Sequence, residues 1–308
     1  MFRRVVALLI LGGLACLLVP NGRALYEGVF FYLRDVVTYD ANARTPINPS
    51  GRYASVYDLV ALNNAERLAY LQRRLDVPAL RVTRIPIPDS AQANLFVRFD
   101  SPGPYLIFAA HYDKLYDDVA YQGASDNVAA VSVLLAAIDV LLRQGDAGSR
   151  AFLFTGEEET GLRGAQAFVA YARASALPIR AIITFDNLGR GELALRPTAE
   201  EVGWVFTLPL WGDWVYDGHA LRPSPAYASA NPRVVHDLRR VYPNVVVYER
   251  FTARGDSNLF EANGLDSVLV SGDNLYYLQL TWHTYADRVE LLDERNLDRA
   301  LDLILKAR

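Results

Sequence analysis

Short apolar runs that alternate with helix-like segments constrain the fold of this 308-residue chain more than any other feature. YLIFAA (residues 105–110), AFLFT (151–155) and IRAIITF (179–185) have the composition of strands buried on both faces. The segment DNVAAVSVLLAAIDVLL (126–142) is apolar almost all round, as a helix packed on a sheet is, and TGLRGAQAFVAYARA (160–174) has a helical pattern. We therefore predict an α/β fold: a single domain with a central mixed, largely parallel sheet flanked by helices on both faces.

The chain divides into segments of different composition. We predict a signal peptide or membrane anchor at residues 1–24, a polar connector at 25–55 and the main globular domain at 56–308. Leucines at helical spacing predict a helix over 64–74. A stretch near 197–235 is rich in Trp, Tyr and Pro, and it predicts an irregular insertion or short helices near the mouth of a pocket.

The N-terminus has the composition of an export signal. Arg3 and Arg4 precede an uncharged run of 16 residues at 5–20, and Gly22-Arg23-Ala24 forms a weak cleavage site. The run is slightly short for a membrane span, but it could serve as an uncleaved anchor. Both alternatives place the body outside the cytoplasm, because the positively charged flank stays inside. We predict an extracytoplasmic protein that is secreted, periplasmic or anchored to the outer face of the membrane.

Composition excludes some classes of function and of site. The net charge is −4 and no basic patch occurs, so we expect no nucleic-acid binding. The single cysteine, Cys16, lies in the N-terminal apolar run, which excludes an intrachain disulfide and a thiolate metal site in the body. A transition-metal site must then use histidine and carboxylate ligands, as catalytic zinc sites do.

Ligand-type side chains recur where predicted strands end and where one helix begins. In open α/β sheets, functional groups gather at the carboxyl ends of the strands, so one shared pocket is expected. Carboxylates crowded in a pocket repel one another unless cations compensate them. The pattern therefore predicts a metalloenzyme. The stretches are His111-Tyr112-Asp113, Gly123-Ala124-Ser125-Asp126-Asn127, Glu157-Glu158-Glu159, Phe185-Asp186-Asn187 and Trp282-His283-Thr284.

Each stretch also has an ordinary structural explanation. His111 could be a hydrogen-bonded histidine at a strand end, and Asp126 could simply cap the helix that follows it. The three glutamates could form a solvated loop before a helix whose N-terminal dipole favours acids. In the functional alternative, one glutamate binds metal while its neighbour is a general base toward water. From the residues alone these alternatives stay open.

Taken together, the stretches resemble a known family, the co-catalytic di-zinc aminopeptidases of the bacterial leucyl-aminopeptidase type. The family order is His-x-Asp, Gly-Ala-x-Asp-Asn, Glu-Glu-x-Gly-Leu-x-Gly, a strand-end Asp and His-Thr-x-x-Asp. This chain has HYD, GASDN, EETGLRG, FDNLG and HTYAD in that order between His111 and Asp287. The resemblance implies a zinc exopeptidase-like fold, makes 56–308 the catalytic domain and implies two Zn²⁺ ions per chain.

The resemblance implies a role for each matched residue. Asp126 would bridge the two metals, and Glu158 would be the general base that deprotonates the bridging water. Asp113 would orient the first histidine, and Asp287 would help to order the loop that carries the last one. The implied metal ligands are His111 and Asp186 at one site, Glu159 and His283 at the other, and Asp126 at both.

The function implied is that of a metallo-aminopeptidase, a hydrolase that removes the N-terminal residue of a peptide or of another small substrate with a free amine. Two features depart from the family. Asp256-Ser257 stands where Ser-Asp-His is usual, and Trp282 before His283 resembles the related glutaminyl cyclases. Those enzymes share the fold but bind one zinc and cyclise N-terminal glutamine. A glutaminyl-peptide cyclotransferase is therefore the alternative, and an inactive binding ectodomain is the second alternative.

Overall fold

The computed structural model describes most of the chain. Cys16, most of the apolar run at 5–20 and parts of the predicted insertion at 197–235 lie outside the described residues, so the predictions that rest on them remain predictions. The described residues are 14–15, 17–200, 202–209, 211–216, 219–224 and 230–307.

Twelve strands in this part of the chain form two sheets. The larger sheet contains β1 (Arg81–Pro86), β2 (Ala93–Arg98), β3 (Tyr105–His111), β4 (Arg150–Thr155), β5 (Ile179–Phe185), β6 (Leu193–Arg196), β10 (Val246–Val247) and β12 (Ser267–Gly272). The smaller sheet contains β7 (Gly203–Leu208), β8 (Gly212–Tyr216), β9 (Leu221–Pro223) and β11 (Phe251–Thr252).

The larger sheet has the spatial order β1-β2-β4-β3-β5-β12-β6-β10. Its middle strands β4, β3, β5 and β12 are parallel neighbours, whereas β1 pairs with β2, β2 with β4 and β6 with β12 in antiparallel fashion. This arrangement confirms the predicted mixed, largely parallel sheet.

Ten α-helices lie in the described part of the chain. A π-helical turn, Tyr26–Phe31, joins the first two helices, and an irregular turn, Ala124–Val128, precedes the longest one. The helices are α1 (residues 17–25), α2 (Tyr32–Thr38), α3 (Ser55–Val60), α4 (Asn64–Arg74), α5 (Ala129–Gln144), α6 (Arg163–Ala174), α7 (Pro232–Val241), α8 (Asp256–Ala262), α9 (Leu275–Thr281) and α10 (Glu294–Lys306).

Alternating side chains of the central strands divide the core into two layers. On one face, Phe108 of β3 packs in the cluster that holds α4, α5 and α10; on the other, Ile107 packs with Phe168 of α6 and Phe260 of α8. The helical stretch Ala124–Gln144 is long and apolar enough to cross a membrane, but 83% of its most apolar window is buried, as in a core helix. Helices on both faces confirm the predicted layers.

The helix predicted over 64–74 is confirmed as α4. Asn63 caps it, because its side chain accepts a hydrogen bond from the N–H of Glu66 while the Glu66 carboxylate accepts one from the N–H of Asn63. Leu68 and Leu71 are buried on one face. The helical spacing of the leucines therefore predicted this helix correctly.

The structure differs from prediction in the aromatic insertion. Residues 203–208, 212–216 and 221–223 form the strands β7, β8 and β9 rather than an irregular segment. Cross-strand pairs such as Trp204 with Tyr216 and Phe206 with Trp214 hold these strands together. In the sequence, the interspersed Gly and Pro residues obscured this pairing.

The segment predicted as a connector at 25–55 also differs, because it is helical as far as Thr38. Its inward side chains include Glu27 and Asp35, both buried, whereas Phe30 and Val37 face outward. The helix thus has its polar and apolar sides reversed relative to a helix of a soluble protein. For that reason it gave no recognisable periodic signal.

Candidate metal centre

The predicted ligands come together at the carboxyl edge of the central sheet. His111 is the last residue of β3, Glu159 lies four residues beyond the end of β4, and Asp186 directly follows β5. Because these three strands are parallel neighbours, their ends lie side by side. Asp126 joins them from the irregular turn before α5, and His283 from the segment after α9.

Asp126 lies between the two histidines. Its Oδ1 is 3.1 Å from Nε2 of His111, and its Oδ2 is 3.5 Å from Nε2 of His283. Oδ1 of Asp186 is 3.6 Å from Nε2 of His111, and Oε2 of Glu159 is 3.2 Å from Nε2 of His283. The five side chains therefore form two groups that share Asp126.

Asp126 does not act as the simple helix cap that was the alternative explanation. Val128, not Asp126, is the N-cap residue of α5, and the start of α5 has no side-chain cap hydrogen bond. The Asp126 side chain instead faces the histidines. The carboxylate is therefore available to a cation.

The donor set and its spacing fit zinc. Ligands at about 2.0–2.1 Å from a tetrahedral zinc stand roughly 3.3 Å apart, close to the four nitrogen-to-oxygen distances in the cluster. One ligand atom each from His111, Asp126 and Glu159 all lie within 4.8 Å of one another. Oε1 of Glu159 is buried and has no hydrogen-bond partner. Nitrogen and oxygen donors without sulfur are typical of catalytic zinc sites.

Crowding of acids shifts the proton affinities of the cluster. Burial, followed by the charge of Asp126, raises the pKa of Glu159 to about 7 and also raises the pKa of Asp186. Burial opposes the charge on His111, but hydrogen bonds with Asp113, Asp126 and Asp186 raise its pKa well above 6.5. In a metal-free cluster, protons on these groups offset the carboxylate repulsion. A cation can take over that role.

Glu158 lies beside the ligands, in the wall of the adjacent cavity. A Cβ placed on Gly255 would stand 3.6 Å from Oε1 of Glu158 and 3.4 Å from Oδ2 of Asp186, so the two carboxylates face the same small space. Burial raises the pKa of Glu158 well above its ordinary value, and the charges of Asp256 and Asp186 add to this. Such a carboxylate is suited to accept a proton near neutral pH.

Glu157 does not belong to the site. It forms an ion pair with Arg163 at 2.6 Å and accepts a hydrogen bond from Ser90. Of the three adjacent glutamates, only Glu158 and Glu159 therefore face the cluster.

Asp113 supports both the histidine and the glutamates. Its Oδ1 is 3.4 Å from Nδ1 of His111 and accepts a 3.2 Å hydrogen bond from the N–H of Glu158, and its Oδ2 accepts one of 3.1 Å from the N–H of Glu159. The resemblance implied only the contact with His111. Asp113 also fixes the start of the loop after β4.

Asp287 forms hydrogen bonds with two segments of the site. Its carboxylate accepts hydrogen bonds from the N–H groups of Ser125 and Asp126, whereas its own N–H donates to the carbonyl of Thr284. The side chain therefore orders the turn that carries Asp126, and the backbone N–H contacts the loop of His283. Asp287 is buried, which raises its pKa to about 7, and the two N–H bonds partly offset that rise.

Two supporting residues were not predicted as such. Asp256 is buried, accepts a hydrogen bond from the hydroxyl of Thr155, and has a pKa raised to about 7 by burial. The fully buried Arg67 donates to the carbonyl groups of Leu59, Tyr112 and Gln122, which ties together the loops around the site. Asp256 could have been found at the departure from the family pattern. Nothing in the sequence distinguished Arg67 from the other arginines of α4.

A cavity of about 690 Å³ opens beside the cluster. Asp126, Glu158, Glu159, Asp186 and His283 line its inner end. Its walls come from the N-terminal helical region (residues 17–38), the smaller sheet and α9. They are mainly apolar and aromatic. The apolar wall residues are Leu115, Leu162, Val202, Trp204, Tyr216, Phe251, Leu275, Leu278 and Trp282, with Gly28 and Tyr32 from the N-terminal region.

A largely parallel sheet with histidine and carboxylate side chains gathered at its carboxyl edge is the arrangement of a metal-dependent enzyme. The chain belongs to Peptidase family M28, whose sequence model matches residues 94–307. No curated protein matches the chain. Family and metal centre together support a zinc peptidase.

Solved structures share the fold at low sequence identity. LapA aminopeptidase of Legionella pneumophila is 16% identical with a TM-score of 0.65, covering 85% of this chain and 70% of that one. The zinc aminopeptidase BSAP of Bacillus subtilis is 19% identical with a TM-score of 0.51, covering 70% and 49%. A glutaminyl cyclase from an Acidobacteriales bacterium is 15% identical with a TM-score of 0.59, covering 88% and 96%. Both reaction types therefore occur on this fold.

Proposed function

We propose that this protein is a zinc-dependent aminopeptidase that hydrolyses the N-terminal peptide bond of a peptide or another small substrate with a free amine. The observation that carries the proposal is the position of Asp126, whose two carboxylate oxygens face different histidines. Such a carboxylate can be shared by two ions. His111 and Asp186 would complete one zinc site, and Glu159 and His283 the other.

Zinc at these residues would activate water and polarise the scissile carbonyl group. Glu158 takes the proton of the attacking water, because it lines the cavity beside the ligands without belonging to either ligand group. Its high proton affinity also lets it pass that proton to the leaving amine. Asp113 holds the backbone of Glu158 and therefore fixes the distance of the base from the ligands.

The cavity accounts for a preference for chain ends. The free amine of a substrate would lie near one metal and the carboxylates at the inner end of the cavity. The side chain of the first residue then lies against the aromatic wall, where Trp204 and Phe251 pack together at a centroid distance of 4.5 Å. We expect substrates with an apolar first residue.

Turnover of aminoacyl-anilides tests the proposal. The zinc-loaded protein should release aniline from leucyl and phenylalanyl substrates much faster than from aspartyl ones. N-acetylated leucyl-anilide is the matched control, since it keeps the side chain but lacks the cationic amine, and it should not be cleaved. Equal cleavage of blocked and free substrates would contradict an aminopeptidase.

A glutaminyl-peptide cyclotransferase with a single zinc is the alternative. Trp282 favours it, because a tryptophan before this histidine is the feature that resembles the glutaminyl cyclases. The Trp282 ring packs against the His283 ring at a centroid distance of 4.4 Å and lines the cavity. Incubation with a glutaminyl peptide separates the two reactions by mass: cyclisation removes ammonia, whereas hydrolysis releases glutamine. One zinc per chain with cyclisation alone would replace the aminopeptidase proposal.

An inactive binding ectodomain is the second alternative. It is disfavoured because the five ligand side chains and Glu158 all lie at one site. A protein that retains no zinc after dialysis against the metal, and turns over neither substrate, would support it.

A further inference from the structure

The N-terminal helical region, residues 17–38, buries several polar side chains and exposes many apolar ones. Asn21, Ala24, Glu27 and Asp35 are each at most 5% exposed, and they recur at the spacing of one helix face. A helix of a soluble protein has the opposite distribution. The outward face therefore has a composition that water does not favour.

The outward face is continuous over the length of the helical region. Phe30 is 64% exposed and Val37 81%, although both are apolar. With a rise of about 1.5 Å per residue, the face extends roughly 30 Å. Exposed apolar surface of this extent marks an interaction site. Its residues are Leu18, Leu25, Tyr26, Val29, Phe30, Leu33, Val36 and Val37.

The inward face is fixed to the catalytic domain on both sides of the weak cleavage site at Ala24. Asn21 donates to the carbonyl of Thr207 at 2.9 Å and accepts from the N–H of Thr207 at 2.6 Å. Glu27 accepts from the N–H groups of Glu249 and Arg250 at 2.8 and 2.9 Å. Cleavage after Ala24 would remove one of these two anchoring points and open a buried helix end.

We propose that this N-terminal segment is retained in the mature protein and that the outward face of residues 18–37 lies against a lipid bilayer. Lipid is the occupant because, in the sequence, the uncharged apolar run at 5–20 directly precedes these outward residues. The guanidinium groups of Arg23 and Arg34 pair with the buried carboxylates of Glu27 and Asp35, at 2.6 Å each, so both charges are drawn toward the protein rather than the outward face. Arg3 and Arg4 would stay on the cytoplasmic side, so the catalytic domain lies outside.

The arrangement also places the cavity at the membrane surface. Gly28 and Tyr32 of the same helical region line it, and the ring of Trp204 lies 3.5 Å from the Cβ position of Gly28. Retention of Asn21, whose hydrogen bonds with Thr207 anchor this helical region, therefore helps to hold that wall of the cavity in place. The contact of the outward face with the bilayer then determines the distance between that wall and the lipid.

Site-specific quenching in vesicles tests the proposal. In a full-length Cys16→Ser background, Val29→Cys and Leu33→Cys place a fluorophore on the outward face. Val82→Cys, at an exposed apolar residue of β1, is the matched control. In vesicles of phosphatidylcholine with a minority of phosphatidylglycerol, a lipid-borne nitroxide should quench the first two labels several-fold more than the third. Aqueous iodide should show the reverse order.

Intact mass and cross-linking complete the test. The membrane-bound protein should retain residues 1–24 and resist extraction by alkaline carbonate. A mature mass that begins near residue 25, or equal iodide quenching at all three labels, would overturn the proposal. Labels at Val29→Cys and Leu33→Cys shielded from both quenchers, together with cross-links between two chains, would assign the face to a second copy of the protein instead.

Discussion

The backbone N–H of Asp126 donates a 2.9 Å hydrogen bond to a carboxylate oxygen of Asp287. The other oxygen accepts from the N–H of Ser125 at 2.7 Å. Asp287 thereby fixes the turn from which Asp126 reaches both histidines. The geometry of the predicted metal centre therefore depends on Asp287, whose carboxylate bonds to backbone N–H groups and not to a predicted ligand side chain.

Asp287→Asn should weaken zinc binding about 10- to 100-fold, as loss of an outer support typically does. The amide can accept only one of the two N–H groups, and it sets a second donor against the other. Chelator competition would measure zinc affinity. Asp302→Asn is the control, since Asp302 pairs with Lys306 at the surface and should leave affinity unchanged. Equal affinity in both variants would refute the role assigned to Asp287.

Glu158→Gln should lower kcat about 10²- to 10⁴-fold, the usual contribution of a general base, while zinc content stays the same. The glutamine keeps the shape of the side chain but cannot accept the proton. Steady-state kinetics with leucyl-anilide and elemental analysis of the same sample would measure both quantities.

Glu157→Gln is the matched control for that variant. Glu157 is bound to Arg163 and Ser90 outside the cavity, so kcat should change little. Loss of zinc in Glu158→Gln would show that Glu158 is a ligand and not the base.

Three of the predicted ligands, His111, Glu159 and Asp186, could be found from the sequence because they lie at or just beyond the ends of apolar strands, whose parallel arrangement brings distant residues together. His111 and Asp186 directly flank apolar runs, and runs of this kind are the clearest strand signal in the chain. Spacing could not reveal the hydrogen bond between Thr155 and Asp256, because it joins residues from separate motifs. Contacts that depend on tertiary packing leave no local trace.

The N-terminal helical region and the smaller sheet were missed for a different reason. Glu27 and Asp35 are buried there while Phe30 is exposed, so the rule that apolar residues face inward fails. In the smaller sheet, Trp204 and Tyr216 are partners across strands whose intervening turns resemble irregular chain. Sequence patterns that assume buried apolar and exposed polar residues therefore do not identify these two parts of the chain.

Asp126→Asn should abolish the stabilisation of the protein by zinc without greatly destabilising the metal-free form. In the metal-free protein, removal of the Asp126 charge relieves repulsion with Asp186 and Glu159 but also loses the pairing with His111 that, despite burial, keeps the pKa of Asp126 below its ordinary value, so the two effects oppose each other. A ligand stabilises the folded state only as far as it binds. Thermal unfolding with and without zinc should show a clear rise in Tm for the natural protein and none for the variant; equal rises would contradict a shared ligand.

Glu261→Gln should make stability less dependent on pH. Burial, followed by the charge of Asp266, raises the pKa of Glu261 to about 7, and its carboxylate accepts a 2.7 Å hydrogen bond from Thr198. Because the folded pKa exceeds the unfolded value near 4.5, the stability that protonated Glu261 contributes is complete below that value and is lost as pH rises through 7. Glutamine stays neutral and can still accept from Thr198. Urea unfolding of chelator-treated protein should therefore find the variant roughly 1–2 kcal/mol more stable than the natural protein at pH 8, after allowance for solvent screening, and nearly equal at pH 5. A difference that is the same at both pH values would contradict the raised pKa.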